Sequence, residues 1–295
     1  MRRREFLALT AAVGGALSLT AQSAPAKKRS LKKAVNLGMV KADGASLVDK
    51  FKMVRDAGFE GIELNRPEDM PIEDLLKAKA ESGLEVASII CTTHWAKPLT
   101  HPDEKVREQG FRGLELALKE SAQLGCDRVL LVPGVVSKDT RYDECWKRSQ
   151  EAIRRALPIA EQTKVKIAVE NVWNHFIMSP LEAVRFVDEI NSPWVGWHFD
   201  IGNVVTYGWP EQWVRILGNR VLNLHLKEFS RKKRDGEGLW KGFNAELGEG
   251  DVVWAEVMKA LDEIGYSGYG IAEVPGGDAA RLKFLAERID QLYAS

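Results

Sequence analysis

Four ionisable side chains stand at or near the ends of stretches that are otherwise apolar. Ile167-Ala168-Val169 runs into Glu170, Trp197-His198-Phe199 runs into Asp200, Leu224 precedes His225, and Ile271-Ala272 precedes Glu273. Three carboxylates gathered at a partly buried place repel one another, and their pKa values rise unless a cation neutralises them. A divalent metal ion resolves that conflict. Three oxygen donors with one imidazole suit Mn²⁺, Mg²⁺ or Co²⁺ better than a thiolate-rich zinc site, although such ligands leave Zn²⁺ open. The other reading of these residues is an ion-pair network completed by Lys227 and Arg231.

The four can meet only if the segments carrying them are neighbours. From Leu31 onward, short runs rich in Val and Ile alternate with stretches of helical period, the signature of a βαβα chain. Strands are expected at Ala34–Val40, Gly61–Leu64, Glu85–Cys91, Arg128–Val132, Lys166–Glu170, Val195–Asp200, Val221–Leu226 and Tyr269–Val274. The helices between them carry their own punctuation. Ser46 with Asp49 opens one and Gly58 closes it, Ser179-Pro180 sets an N-cap before an N1 proline, and Gly83 and Gly265 follow helical runs. The last helix spans Asp278 to Leu292, with Leu282, Leu285, Ile289 and Leu292 on one face.

Eight β/α units in about 265 residues predict a single-domain α/β protein, a (β/α)8 TIM barrel over residues 34–295, whose functional groups sit at the C-terminal ends of the strands. The competing architecture, an open doubly wound sheet, lacks support because no G-x-G-x-x-G follows the first strand. In a closed barrel, strands five to eight are adjacent. Their charged ends therefore gather on one rim.

Residues 1–23 read as an export signal: Arg2-Arg3-Arg4-Glu5-Phe6-Leu7, an apolar stretch to Ala21, and small residues around a cleavage point after Ser23, with 24–33 as linker. The paired arginines followed by Phe6-Leu7 resemble a twin-arginine signal, which implies the twin-arginine export machinery as a partner and a periplasmic or otherwise exported protein. An uncleaved anchor is the other reading of this stretch. Cleavage takes the formal charge from 0 to −2. With 42 basic and 42 acidic side chains in the whole chain, no general field favours nucleic acid or an anionic membrane. Cys91, Cys126 and Cys145 are odd in number and widely spaced, so they are expected as core or helix residues, not as disulfides or metal ligands.

Several motifs now combine: Gly58-Phe59-Glu60-Gly61-Ile62-Glu63-Leu64, Ala168-Val169-Glu170-Asn171, His198-Phe199-Asp200-Ile201-Gly202-Asn203, His225-Leu226-Lys227-Glu228, Leu247-Gly248-Glu249-Gly250-Asp251 and Ala272-Glu273. Together they resemble the xylose-isomerase-like TIM barrels known as sugar phosphate isomerases/epimerases, which include ketose 3-epimerases, inosose dehydratases and hydroxypyruvate isomerases. The resemblance runs from about Ala34 to the C-terminus. It implies one divalent ion, Mn²⁺ being the ion expected, held by Glu170, Asp200, His225 and Glu273. It also implies that Glu170 and Glu273 are the acid/base pair of a metal-assisted proton transfer through a cis-enediolate. Arg231, six residues after His225, matches a substrate-binding arginine of the ketose 3-epimerases, whereas Asn203 stands where they have a histidine and Phe176 where they have a glutamate.

The activity expected is that of an exported isomerase or epimerase of a free sugar or keto-sugar. The alternatives are a lyase or dehydratase on a keto-sugar or inosose, using the same enolate, and a non-catalytic sugar-binding barrel. Apurinic-site endonucleases of the same superfamily use many more histidines than the five present here. Glu63, His94, Trp95, Asn203, Lys227 and Arg231 are the substrate-binding candidates, and His198, on the same side of its strand as Asp200, is expected to support the ligands from behind. The long segment from Phe229 to Gly250 reads either as a closing loop or as a solvated basic one. A homo-oligomer is compatible with the sequence.

Overall fold

The computed structural model describes residues 30–67 and 70–295; the export signal and most of the linker expected from the sequence lie outside the described residues. Eight strands form the framework: β1 (Leu31–Asn36), β2 (Gly61–Arg66), β3 (Glu85–Cys91), β4 (Arg128–Leu131), β5 (Lys166–Glu170), β6 (Val195–Asp200), β7 (Val221–Leu226) and β8 (Gly268–Ala272). Each pairs in parallel with the next, and β1 pairs with β8 from Leu31↔Gly268 to Val35↔Ala272, so the sheet closes on itself. The fold is the (β/α)8 barrel expected. Within the barrel no strand edge is left open among the described residues.

Outside the barrel run α1 (Leu47–Asp56), α2 (Ile72–Ser82), the short α3 (Thr93–Ala96), α4 (Glu104–Gln123), α5 (Tyr142–Thr163), α6 (Pro180–Ile190), α7 (Pro210–Leu217), α8 (Arg231–Glu237), α9 (Trp254–Glu263) and α10 (Ala279–Tyr293). Their ends are set by local chemistry. The Ser46 hydroxyl accepts from the Asp49 amide, Ser179 from Glu182, and the Asp278 carboxylate from Arg281, satisfying amides that an α-helix leaves unpaired at its start. Gly83 ends α2 at φ 76°, where a side chain would be strained.

Two expectations shift at the first strand. β1 begins at Leu31, ahead of Ala34, and ends at Asn36, after which Leu37–Met39 turn into a 3-10 helix. Lys32 and Lys33 hid the start because two consecutive charges break the apolar run; Lys33 faces outward and reaches Asp290 at 2.7 Å, while Lys32 lies over the Tyr269 ring. All three cysteines are buried and free, as expected.

Strands buried on both faces are apolar almost throughout, and β6 is buried at every residue. The barrel interior nevertheless holds polar side chains. Asn223 of β7 donates to the Ala87 carbonyl of β3 at 3.1 Å and accepts from Arg128 of β4 at 2.9 Å. Such contacts between non-adjacent strands can only cross the interior. One level nearer the C-terminal ends, the same crossing pattern builds the site.

Candidate metal centre

Register does most of the positioning. Asp200 and His225 are direct partners across β6 and β7, and Leu226 pairs with Ala272, which places Glu273 just beyond the end of β8 at the level of Lys227. Glu170 closes β5 beside His198. Of the four, Glu170, Asp200 and His225 are buried, and Glu273 is partly so. One donor atom from each of the four residues lies within 4.8 Å of all the others.

His225 is the hub. Its Nδ1 lies 2.9 Å from Glu170, 3.5 Å from Glu273 and 4.0 Å from Asp200. Its Nε2 points the other way, 3.1 Å from Glu63, whose carboxylate also accepts from Asn36 at 3.0 Å. The ends of β5 and β6 are locked together by Asn171. Its amide donates to the Asp200 carbonyl at 2.8 Å, and its oxygen accepts from the Asp200 amide at 3.0 Å and the Trp197 indole at 3.1 Å. Asn203 completes the lock, donating its side-chain amide to the Asn171 carbonyl and its backbone amide to Asp200 Oδ1.

The electrostatics follow from crowding. Burial pushes the Glu170 carboxyl up to about 7, with nearby Glu273 and Asp200 adding to the effect and His225 opposing it. Burial also raises Asp200, against the pull of the Lys227 ammonium. Glu273 goes the other way: burial disfavours its charge, but His225 and Lys227 overcome that and hold it down at about 2. His225 is held well above the usual imidazole range because the negative charges of Glu63 and Glu273 outweigh its burial.

The residues fit a divalent cation. Asp200 Oδ2 and Glu273 Oε2 are buried oxygens without a well-directed hydrogen bond. The positive charge facing them is Lys227, 2.9 Å from Asp200 Oδ2 and in close ion-pair contact with Glu273 Oε2. An ammonium reaching in from one side leaves the carboxylate oxygens converging on His225 Nδ1, whose lone pair becomes available once its proton is displaced. That is a donor set for a hard or borderline ion. Part of the alternative reading also holds, since Lys227 does pair with the cluster.

Arg231 does not join it. Its guanidinium donates to the Val205 and Gly208 carbonyls at 2.9 and 3.0 Å, and its amide to Asp251 at 2.6 Å, tying α8 to the loop after β6. Glu63 sits beneath the cluster, fully buried, and faces His225. His198 is buried with neither ring nitrogen hydrogen-bonded; it supports His225 by ring packing at 4.1 Å. Phe176 points into an aromatic group with Tyr142, Trp146 and Phe186, away from the cage.

Above the cage opens a cavity of about 480 Å³ whose walls include Glu170, Glu273, His225, Lys227, Asn203, His94 and Trp95. His94 is fixed by accepting from the Val132 amide at 3.2 Å, and Trp95 stands half exposed beside it. Asn65, Thr92, Trp173, Trp240 and Phe243 also line it, and sequence patterns did not single them out for this role. Asn65 carried a signal, since it lies two residues after Glu63 on the same strand face. The segment from Phe229 to Gly250 is ordered: α8 and a 3-10 helix at Leu239–Asn244 bring Trp240 and Phe243 against Trp173, each with ring centres 4.8 Å away.

Residues 51–292 match the family model of the xylose isomerase-like TIM barrel. The L-ribulose-5-phosphate 3-epimerase UlaE of Salmonella paratyphi A is 24% identical over 243 residues, covering 78% of this chain and 83% of that protein. Among solved structures, a D-tagatose 3-epimerase-like protein superposes with a TM-score of 0.72 at 21% identity, covering 89% of this chain and 97% of the other. The D-allulose 3-epimerase of Methylomonas sp. does so with a TM-score of 0.71 at 21% identity, covering 90% and 98%. At such identity the structural likeness speaks for the fold, while the family match covers the greater part of the sequence. This chain belongs to the xylose isomerase-like TIM barrel family.

Proposed function

We propose that this protein is an exported, divalent-metal-dependent isomerase or epimerase of an unphosphorylated sugar or keto-sugar. The observation that carries the reading is the convergence of Glu170 and Glu273, with Asp200 and His225, in one cage that opens into a cavity, so that two carboxylates face the same space. Racemising a carbon needs one group that takes a proton and one that returns it. Relatives named as sugar 3-epimerases support the same chemistry.

A bound divalent ion, with Mn²⁺ favoured, supplies polarisation of the substrate carbonyl and its neighbouring hydroxyl. The ionised Glu273 removes the proton from the carbon beside the carbonyl, giving a cis-enediolate. Glu170 delivers its proton to the opposite face, and the roles exchange in the reverse direction. Lys227, between Asp200 and Glu273, stabilises negative charge developing on a substrate oxygen. His94 and Asn203 offer polar groups to hydroxyls, and Trp95 offers an apolar face to the ring.

The test is solvent exchange. The metal-loaded protein is incubated in D₂O with free ketoses and 3-keto sugars, and NMR follows deuterium entering beside the carbonyl. Exchange accompanied by inversion is expected in the wild type, and Glu170→Gln is expected to lose the inversion. Equal inversion in both proteins sinks the acid/base assignment, and loss of water from the substrate without exchange assigns lyase chemistry instead.

A further inference from the structure

The polar cavity above the cage adjoins a second hollow of about 250 Å³, and the two share Val172 and Trp173 in their walls. The second hollow differs in character. Met178, Tyr207 and Leu239 line it and are 54%, 44% and 50% exposed, so apolar surface that would normally be covered faces solvent at the mouth of the site. Thr206, its hydroxyl already accepting from Arg234, and His175 are the other polar contributors.

The backbone is held in an unfavourable course to make this hollow. In the loop after β5, His175 and Ile177 both take left-handed conformations, at φ 60° and 52°, which side chains other than glycine adopt only at a cost. Asn174 enforces that path, donating to the Gly134 carbonyl at 2.7 Å and accepting from the Phe176 amide at 3.2 Å. The Ile177 amide is satisfied by the Tyr142 hydroxyl at 3.1 Å. The result delivers Met178 to the rim. The shared wall is equally fixed, because the Trp173 indole donates to the Asn203 carbonyl at 2.8 Å while its ring packs on Trp240 and Phe243.

We propose that this hollow is a subsite for an aromatic substituent carried by the sugar, so that the substrate class is a keto-sugar glycoside with an aryl aglycone. The inference rests on the reading of the cage as a sugar site and adds its second half. Polarity decides the occupant. A second sugar would bring several hydroxyls into a wall with few free polar partners and leave them unpaired, whereas an aryl ring covers Met178, Tyr207 and Leu239 and meets the edge of Trp173. Adjacency to the cavity argues for a group attached to the substrate: the two spaces share Val172 and Trp173 as lining.

The experiment compares matched methyl and phenyl glycosides of glucose, galactose and xylose, in both anomers, by calorimetry on the metal-loaded full chain and on a Met178→Asp/Leu239→Asp double variant. Both substituted residues are half exposed and lie outside the cage, so the fold tolerates the change. At least one phenyl glycoside is expected to bind ten-fold or more tightly than its methyl counterpart. The double variant is expected to lose that advantage while binding the methyl glycoside as before. The proposal is overturned if no phenyl member of any pair binds better, if the advantage survives the double substitution, or if the variant instead changes the sedimentation of the protein, which would assign the patch to a second copy. Solvent exchange is measured in parallel: exchange without a phenyl preference leaves the epimerase reading standing alone, and a phenyl preference without exchange does the reverse.

Discussion

Glu63 and His225 meet inside the barrel at 3.1 Å, on the side of the imidazole opposite to Glu170. A carboxylate that accepts from Nε2–H fixes the tautomer in which Nδ1 keeps its lone pair for a metal, and it raises the basicity of that nitrogen. Glu63 therefore acts through His225. The Glu63→Leu protein should bind Mn²⁺ about 10- to 100-fold more weakly, with Glu63→Gln recovering part of the loss, as read by competition with a chromophoric chelator. Unchanged affinity in both would show that the contact does not serve the metal.

Asp200 carries the simplest stoichiometric prediction. Both of its oxygens are engaged at the strand end, Oδ1 by the Asn203 amide and Oδ2 by the Lys227 ammonium within the cage. Asp200→Ala should purify without bound metal while its far-ultraviolet dichroism stays that of the wild type. Full metal occupancy in that variant contradicts the cage.

Glu228 holds the long segment after β7. Its carboxylate accepts from the Phe229, Gly248 and Val252 amides at 3.0, 2.9 and 3.1 Å and from the Trp254 indole at 2.9 Å. Removing an acceptor that serves several buried donors costs on the order of 3 kcal/mol. Glu228→Ala should lose about that much in urea denaturation and become sensitive to trypsin at Lys232 and Lys233. Gly250→Ala should behave alike, because its new methyl group would collide with the same carboxylate. Trypsin resistance in both variants would show that the segment is held elsewhere.

His94 makes stability depend on pH. Burial holds its imidazole down at about 4 against an ordinary 6.5, and His198 is displaced in the same direction by its own burial. Between those values the unfolded chain accepts a proton that the folded one refuses, so stability falls as pH drops through the window and returns as it rises. Each such imidazole contributes roughly 1 kcal/mol between about pH 6.5 and 5.5. In metal-free protein, His94→Asn should flatten that slope without abolishing it, since His198 remains; an unaltered slope would mean that His94 is protonated when folded.

Much of this was legible from sequence, for identifiable reasons. β3, β5, β6 and β7 have the expected bounds because strands buried on both faces read as largely apolar runs, which in β5 and β6 end at a charge. The cage was legible for the same reason: Glu170 and Asp200 each break such a run at its last residue. Glu63 was visible as a charge in β2, but a single chain does not say which residue lies across the interior, so its partnership with His225 needed coordinates. Arg231 matches the spacing of an epimerase arginine, yet α8 turns its guanidinium toward backbone carbonyls. Trp173, Trp240 and Phe243 come from separate loops, and no local pattern links residues that meet only in space.

The cage belongs to one half of the barrel, while the cavity draws on both. All four cage residues come from β5 to β8 or the residue just beyond, whereas Asn65, Ile90, Thr92, His94, Trp95 and Leu130 reach the cavity from β2 to β4 and the segment after β3, facing Trp173, Asn203, Lys227, Trp240 and Phe243 of the second half. Glu63 and His225 are the stitch between the halves. Inherited change in the first half can therefore reshape one wall of the cavity without touching a cage residue. A gene duplicate of this barrel has a short route to a new substrate and a long one to a new reaction.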